Sequence, residues 1–199
     1  MHVIINYLDD MLFFIGIAFP LIVIWRLLRW KKRGFQLKET LHELGILVFF
    51  SVLVGLFSQT IIPNTDDVPA YTTGVNLELF RVVEETYNSI VYLGFWQPFY
   101  INFLGNIILF MPIGFLLPLL FRRMEFFIFP VFVGLCISLF IEIMQIPQSR
   151  SSDVDDLWLN TLGAFLGYVC YYFIRRAFPS FTAAFKRVKK SKFMKRENG

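Results

Sequence analysis

A set of polar and charged side chains gathers at the ends of neighbouring apolar segments between residues 100 and 160. They are Asn102, Asn106, Glu142, Gln145, Arg150, Asp153, Asp155, Asp156 and Asn160. Carboxylates can exchange protons, arginine can bind phosphate or carboxylate, and carboxamides can hydrogen-bond polar ligands. Such groups are costly in hydrocarbon unless they are paired or hydrated. Their gathering therefore predicts a site.

The segments that must position these residues have the composition of a membrane protein. The chain is 56% hydrophobic and 19% aromatic, and only 17% of its residues are charged. A stretch of roughly 20 apolar residues suffices to cross a bilayer core. The sequence thus predicts a single membrane domain over residues 1–199, an all-α bundle of five transmembrane helices. The predicted spans lie near 11–28, 44–62, 100–121, 126–146 and 157–174.

The distribution of lysine and arginine predicts the orientation of this bundle. All of these cations except Arg81 and Arg150 fall in the segment after span one, the turn after span three or the C-terminal tail. Cytoplasmic loops carry the excess of such residues, so we expect the N-terminus outside and the C-terminus inside. The pI of about 9.1 then indicates anionic membrane lipids as partners, rather than nucleic acid.

Two amphipathic segments flank the spans. The connection over 63–98 carries Phe80, Val83, Tyr87, Ile90 and Val91 on one helical face, a pattern typical of a helix lying on the outer membrane surface. Such a helix could be a connector or a lid over the polar site. The tail repeats apolar residues at Phe178, Phe181, Phe185 and Val188 among basic ones, which predicts a basic helix on the cytoplasmic surface.

Helical spacing predicts that the polar residues converge near the outer leaflet. Asn102 and Asn106 are four residues apart, Glu142 and Gln145 three apart, and Asp156 and Asn160 four apart, so each pair should share one helix face. An alternative is purely structural. In it Glu142 pairs with Arg150, the asparagines fasten helices together, and Asp153, Asp155 and Asp156 cap the N-terminus of span five.

The order and spacing of these residues resemble those of a known family. The motif Asn102-x-x-Gly105-Asn106-x-x-x-Phe110-x-Pro112-x-Gly114 is similar to the central motif of the VanZ-like family. So are Glu142-x-x-Gln145 and the later run Arg150-x-x-Asp153-x-Asp155-Asp156-x-x-x-Asn160-x-x-Gly163-x-x-x-Gly167. The resemblance covers about residues 100–174. It departs at 76–80, where Leu79 stands in place of the proline of the family's Asn-Leu-x-Pro-Phe element.

The resemblance implies a multi-pass protein of the bacterial plasma membrane, in a family whose founding member is associated with low-level teicoplanin resistance. We expect the outer site to engage a lipid-linked cell-wall precursor, a surface lipid or the lipoglycopeptide. The predicted ligand-binding residues are Asn102, Asn106, Glu142, Gln145, Arg150, Asp153, Asp156 and Asn160.

Two other functions remain open at this stage. A membrane enzyme could modify a surface lipid or glycan, with Glu142, Asp153 and Asp156 as candidate catalytic carboxylates. A small transporter or flippase, enclosed by a homo-oligomer, is the second alternative. No cofactor or metal is expected, although the acidic turn offers oxygen ligands that suit Mg²⁺ or Ca²⁺.

Overall fold

Helices long and apolar enough to cross a membrane dominate the structure. The computed structural model describes residues 2–33, 39–60, 75–76, 78–146 and 152–187. The elements are α1 (His2–Arg33), α2 (Thr40–Thr60), β1 (Val75–Asn76), α3 (Arg81–Leu93), a π-helical turn (Phe99–Leu104), α4 (Gly105–Leu120), a 3₁₀ turn (Arg122–Met124), α5 (Ile128–Gln145), β2 (Ser152–Asp153), α6 (Val154–Ala177) and α7 (Pro179–Ala184). Five segments qualify as spans, which confirms the predicted number: they lie in α1, α2, the π-helical turn with α4, α5, and α6.

Glycines bring α4 and α6 into direct backbone contact. A Cβ atom added at Gly114 would lie 1.8 Å from the carbonyl oxygen of Ala164. One at Gly163 would lie 2.3 Å from that of Ile107, and one at Gly167 1.9 Å from that of Met111. Small residues allow this approach because helices in lipid associate through close packing rather than through a hydrophobic driving force. The spacing of Gly163 and Gly167, four residues apart, is the small-xxx-small pattern that predicts close packing on a neighbouring helix, and α4 is that neighbour.

The apolar core forms around this helix pair. Phe110, Ile113 and Leu117 of α4 pack with Leu56 of α2 and Ile141 of α5. The peripheral helix α1 packs along α2 and exposes most of its apolar surface, as expected for a helix in contact with lipid. Packing thus fixes α4 and α6 at the centre of the bundle, where their polar ends can meet.

One end of the bundle, which we call the basic end, is fastened by charges. The Lys186 ammonium, after α7, pairs with Glu125 at 2.9 Å and also donates to the carbonyl oxygen of Pro118 at the end of α4. A lysine suits this position because the last carbonyls of a helix lack partners within it. Glu125 also pairs with Arg175 at 2.8 Å. Of the predicted tail helix the structure describes only this portion, and 188–199 lie outside the described residues.

The opposite end, which we call the acidic end, contains a short β-bridge that the sequence did not predict. Val75 and Asn76 of β1 pair in parallel with Ser152 and Asp153 of β2. Because β2 leads directly into α6, the pairing holds the segment before α3 beside the start of α6. The bridge therefore determines where α3 begins.

Candidate functional site

Asn106 and Asp156 meet at the acidic end. Asn106 lies in the first turn of α4 and Asp156 in the first turn of α6, and the Asn106 carboxamide donates to Asp156 Oδ1 at 2.5 Å. The two helices run in the same direction, so both begin at the acidic end, where Asn106 and Asp156 lie. The glycine contacts hold the backbones close enough for a direct bond. The carboxylate thus accepts a neutral donor across the central helix pair.

A second polar contact lies one turn deeper. Asn160 of α6 is buried, and its Nδ2 donates to Ser138 Oγ of α5 at 2.9 Å. The Asn160 Oδ1 atom is also buried and has no hydrogen-bond partner among the described residues. A buried acceptor without a partner costs about 1–3 kcal/mol. Asn160 therefore retains capacity to accept a hydrogen bond from a donor that enters the bundle.

The remaining polar residues of α5 lie on the same side of that helix. Ser138, Glu142 and Gln145 are all buried and recur at steps of four and three. Gln145 Nε2 donates to the carbonyl oxygen of Thr60 at 2.7 Å, which caps the C-terminus of α2. The predicted face shared by Glu142 and Gln145 is therefore observed, and one of its members also has a structural contact. We refer to Asn106, Ser138, Glu142, Asp156 and Asn160 as the polar cluster.

Asp155 makes the most extensive set of hydrogen bonds at this end. Its Oδ1 accepts from the backbone N–H of Phe80 at 2.6 Å and from Trp158 Nε1 at 2.7 Å, and its Oδ2 accepts from the backbone N–H of Val82 at 2.7 Å. The residue is almost completely buried. Free N–H groups and the positive dipole end of a helix favour a carboxylate there. Asp155 thus caps α3, a helix remote in sequence.

The structural alternative from the sequence had Asp155 cap its own span five, and its contact with α3 was missed. A detectable signal existed in Phe80, the aromatic residue of the family-like element at 76–80, but nothing in the sequence joined it to Asp155. Phe80 has a positive φ of 68°, a conformation that costs a non-glycine residue roughly 1–2 kcal/mol. The hydrogen bond from its N–H to Asp155 helps to stabilise that conformation.

Aromatic rings pack around this capping contact. Trp158 lies 5.6 Å from Phe80 and 6.2 Å from Phe103, between ring centroids. Phe103 stacks on Phe99 at 5.8 Å. Rings at these separations stabilise each other beyond the burial of their surface. The capping carboxylate is thus shielded on the side that faces the start of α4.

The structure does not bring every predicted residue into the cluster. Asn102 is exposed in the π-helical turn before α4, whereas Asn106 is half-buried. Asp153 of β2 pairs with Asn76 of β1 through its backbone, and its side chain is not among those that the structure describes. Arg150 lies outside the described residues, so its role stays a prediction from the sequence.

No metal centre is formed within the residues that the structure describes, where no group of three or more His, Cys, Asp or Glu side chains is placed to hold an ion. Asp155 and Asp156 instead accept hydrogen bonds from amide and indole donors. The Mg²⁺ or Ca²⁺ alternative thus draws no support from these two carboxylates.

The family model described as VanZ/LLP1 matches residues 44–175. The chain belongs to the VanZ/LLP1 family. Comparison with curated proteins and with solved structures gave no match. The matched range begins in α2 and ends in α6, so it is longer than the region of about 100–174 recognised from motifs.

The VanZ/LLP1 match includes the whole polar cluster together with α3 and its capping residue Asp155. It leaves out α1 and α7. Leu79, where the resemblance led us to expect a proline, is exposed in the turn before α3. The departure therefore leaves the contact between Phe80 and Asp155 intact. The family match and the two helix-linking contacts converge on the acidic end as the candidate site.

Proposed function

We propose that this VanZ/LLP1 protein contributes to resistance against teicoplanin and related lipoglycopeptides through the acidic end of its bundle. There it engages a lipid-linked cell-wall precursor, a surface lipid or the antibiotic. The proposed location is the plasma membrane, with the N-terminus outside and the C-terminus inside. In this orientation the acidic end faces the outer leaflet, where all three ligands are found. The basic end then lies where cationic residues are enriched in membrane proteins.

The observation that carries the proposal is the buried, incompletely bonded Asn160 within the polar cluster. Intramembrane polar groups are expensive and are typical of functional positions. Asn106 with Asp156, and Asn160 with Ser138, link α4, α5 and α6 at depths about one helical turn apart. The Asn160 Oδ1 atom offers an acceptor for a hydroxyl, amide or ammonium donor of a ligand.

The test is antibiotic susceptibility in a Gram-positive strain that is sensitive to teicoplanin. Cells expressing the protein are compared with cells carrying an empty vector, and membrane abundance is measured by immunoblot. We expect expression to raise the inhibitory concentration of teicoplanin. The substitution Asn160→Ala should return it to the empty-vector value at equal abundance, because the acceptor oxygen is removed.

The matched control is Asn88→Ala, which makes the same chemical change at an exposed position of α3. It should leave protection unchanged. Full protection by Asn160→Ala at normal abundance would remove the polar cluster from the mechanism.

Two further variants test the sequence-based prediction for Arg150. Arg150→Ala should abolish protection while the protein still inserts. If exchanging Glu142 and Arg150 restores function, a structural ion pair is favoured over ligand contact.

Mass spectrometry of surface lipids and wall precursors separates binding from chemistry. The proposal expects the same covalent species with and without the protein. A new product that disappears in Glu142→Gln or Asp156→Asn would instead establish the enzymatic alternative. Altered sidedness of an unmodified lipid would establish the flippase alternative.

A further inference from the structure

Helix α3 makes little apolar contact with the bundle that supports it. Its buried residues are Val82, Thr86 and Ser89. Of these, Ser89 Oγ donates to the nearby carbonyl of Phe95, and Thr86 Oγ1 is buried with no partner among the described residues. Burial of an unbonded hydroxyl opposes closure, so the packed face contributes one apolar side chain and one unfavourable contact. The face alone therefore holds α3 weakly.

The remaining surface of α3 divides into two further faces. Val83, Tyr87 and Val91 form an exposed apolar stripe at i, i+4 and i+8. Arg81, Glu84, Glu85 and Asn88 form an exposed polar face. A helix with one face on protein, one apolar and one polar is suited to the boundary between bundle, lipid and water. Outward movement along the membrane surface would keep both exposed faces in their preferred surroundings.

The two ends of α3 differ in how they are held. At its start, Asp155 accepts the N–H groups of Phe80 and Val82. At its end, Gly94 adopts a left-handed φ of 65° and has open space around the position of a side chain. Glycine adopts such a backbone without steric cost. The start of the helix is thus latched by one carboxylate beside the β1–β2 bridge, whereas its end is a turn that can act as a hinge.

Beneath the latched end lies the polar cluster. Val82 packs against Ile107 and Leu159, which adjoin Asn106 and Asn160 in sequence. Release of the start of α3 would therefore uncover the apolar layer formed by Ile107 and Leu159, next in sequence to Asn106 and Asn160.

We propose that α3 is a strap, latched by Asp155 and hinged at Gly94, that opens sideways and gives a lipid-tailed molecule a path from the membrane to the polar cluster. The inference that α3 can open is drawn from the contacts of α3 alone. The inference that a lipid-tailed ligand passes beneath it rests in addition on the function proposed above.

The experiment measures access to a cysteine beneath the strap. Cys136 and Cys170 are replaced by alanine, and Val82→Cys (under the strap), Glu84→Cys (on its polar face) or Ile113→Cys (in the bundle core) is introduced. Labelling by a water-soluble maleimide is timed on the full-length protein in detergent. Glu84→Cys should react rapidly, and the other two slowly. Addition of Asp155→Asn should speed Val82→Cys labelling at least about tenfold and leave Ile113→Cys slow.

Each outcome decides between the strap and another role. Equal rates for Val82→Cys with and without Asp155→Asn would overturn the latch. Faster labelling of Ile113→Cys together with Val82→Cys would show that Asp155 supports the whole bundle, and would overturn the strap. If the Asp155→Asn protein does not accumulate, Trp158→Phe, which removes the indole donor and keeps the ring, should give a smaller increase confined to Val82→Cys.

Intact cells separate failure of the strap from failure of the proposed orientation. A membrane-impermeant maleimide should label Glu84→Cys from outside if the acidic end faces outward. Absence of that labelling, with a normal response of Val82→Cys in detergent, would refute the orientation and retain the strap.

Discussion

The two ends of the bundle are fastened by different chemistry. At the basic end, buried Lys186 lies between Glu125 and a helix carbonyl, and buried Arg26 pairs with Glu43 at 2.5 Å. At the acidic end, Asp155 and Asp156 accept hydrogen bonds from backbone amides, an indole and a carboxamide. Charge pairs depend on the ionisation of both members, whereas bonds to neutral donors depend on geometry. The basic end therefore balances charge against charge, whereas the carboxylates of the acidic end bind donors that carry no charge.

The largest stability effect should come from the basic end. Glu125→Gln leaves the Lys186 ammonium buried without its carboxylate, and Arg175 loses the same partner. Breaking a buried pair by removing one member costs about 3–5 kcal/mol, and partial exposure of Glu125 reduces our expectation to about 2 kcal/mol. Thermal unfolding in detergent measures the change.

The double variant Glu125→Gln, Lys186→Met provides the control, because it removes the unpaired ammonium and keeps an unbranched side chain of similar length. It should recover part of the lost stability. If the loss of stability in the double variant equals the sum of the losses in the two single variants, the two residues act separately.

The same contact should respond to acid. Burial raises the pKa of Glu125, but hydrogen bonds and charges from Lys186 and Arg175 outweigh it and hold the pKa below its ordinary value. The folded state thus favours the carboxylate. Its contribution is complete above the unfolded pKa of about 4.5, and it is lost as pH falls through the lowered folded value.

The difference in melting temperature between the unmodified protein and Glu125→Gln should therefore be constant between about pH 6 and 8, and should shrink below about pH 4.5. Asn88→Leu is the comparison variant, because it changes a neutral residue on an exposed face. A pH-independent difference for Glu125→Gln would contradict the ion-pair account of the basic end.

The smaller effect should come from the acidic end. Asn106→Leu removes the donor to Asp156 and retains apolar volume. Hydrogen bonds between transmembrane helices contribute about 0.6 kcal/mol on average, with larger values near 1.7 kcal/mol, so we expect a loss of about 1 kcal/mol. Thermal unfolding measures it, with Asn88→Leu on an exposed face as control. A loss above that of Glu125→Gln would reverse the comparison of the two ends.

Much of the fold could be predicted from the sequence because a backbone in hydrocarbon must satisfy its own hydrogen bonds, which a helix does. The length of the apolar segments predicted the five spans, and the spacing of Gly163 and Gly167 predicted the close helix contact. The site was harder to predict. Asn160 and Asp156 fell within it, whereas Asn102 is exposed, because helical spacing alone does not tell which residues of a polar face are buried.

Asp155 shows a second limit of sequence analysis. An acidic residue in the first turn of a helix is sufficiently explained by its own helix, so nothing at that position pointed to α3, 73 residues away. The β-bridge was also hidden, since two residues carry no strand periodicity. Both features are long-range contacts made by short segments, which local patterns do not encode.

The direct contact of α4 with α6 has an implication for comparing members of this family. At Gly114, Gly163 and Gly167 the atoms nearest to an added Cβ belong to backbone, which no compensating side-chain replacement elsewhere can remove. Substitution there should be rejected in any homologue that keeps this helix pair, whatever molecule that homologue recognises. Invariance of these glycines would record shared architecture, whereas differences at Asn106, Asp156 and Asn160 would be the places to look for divergence in ligand.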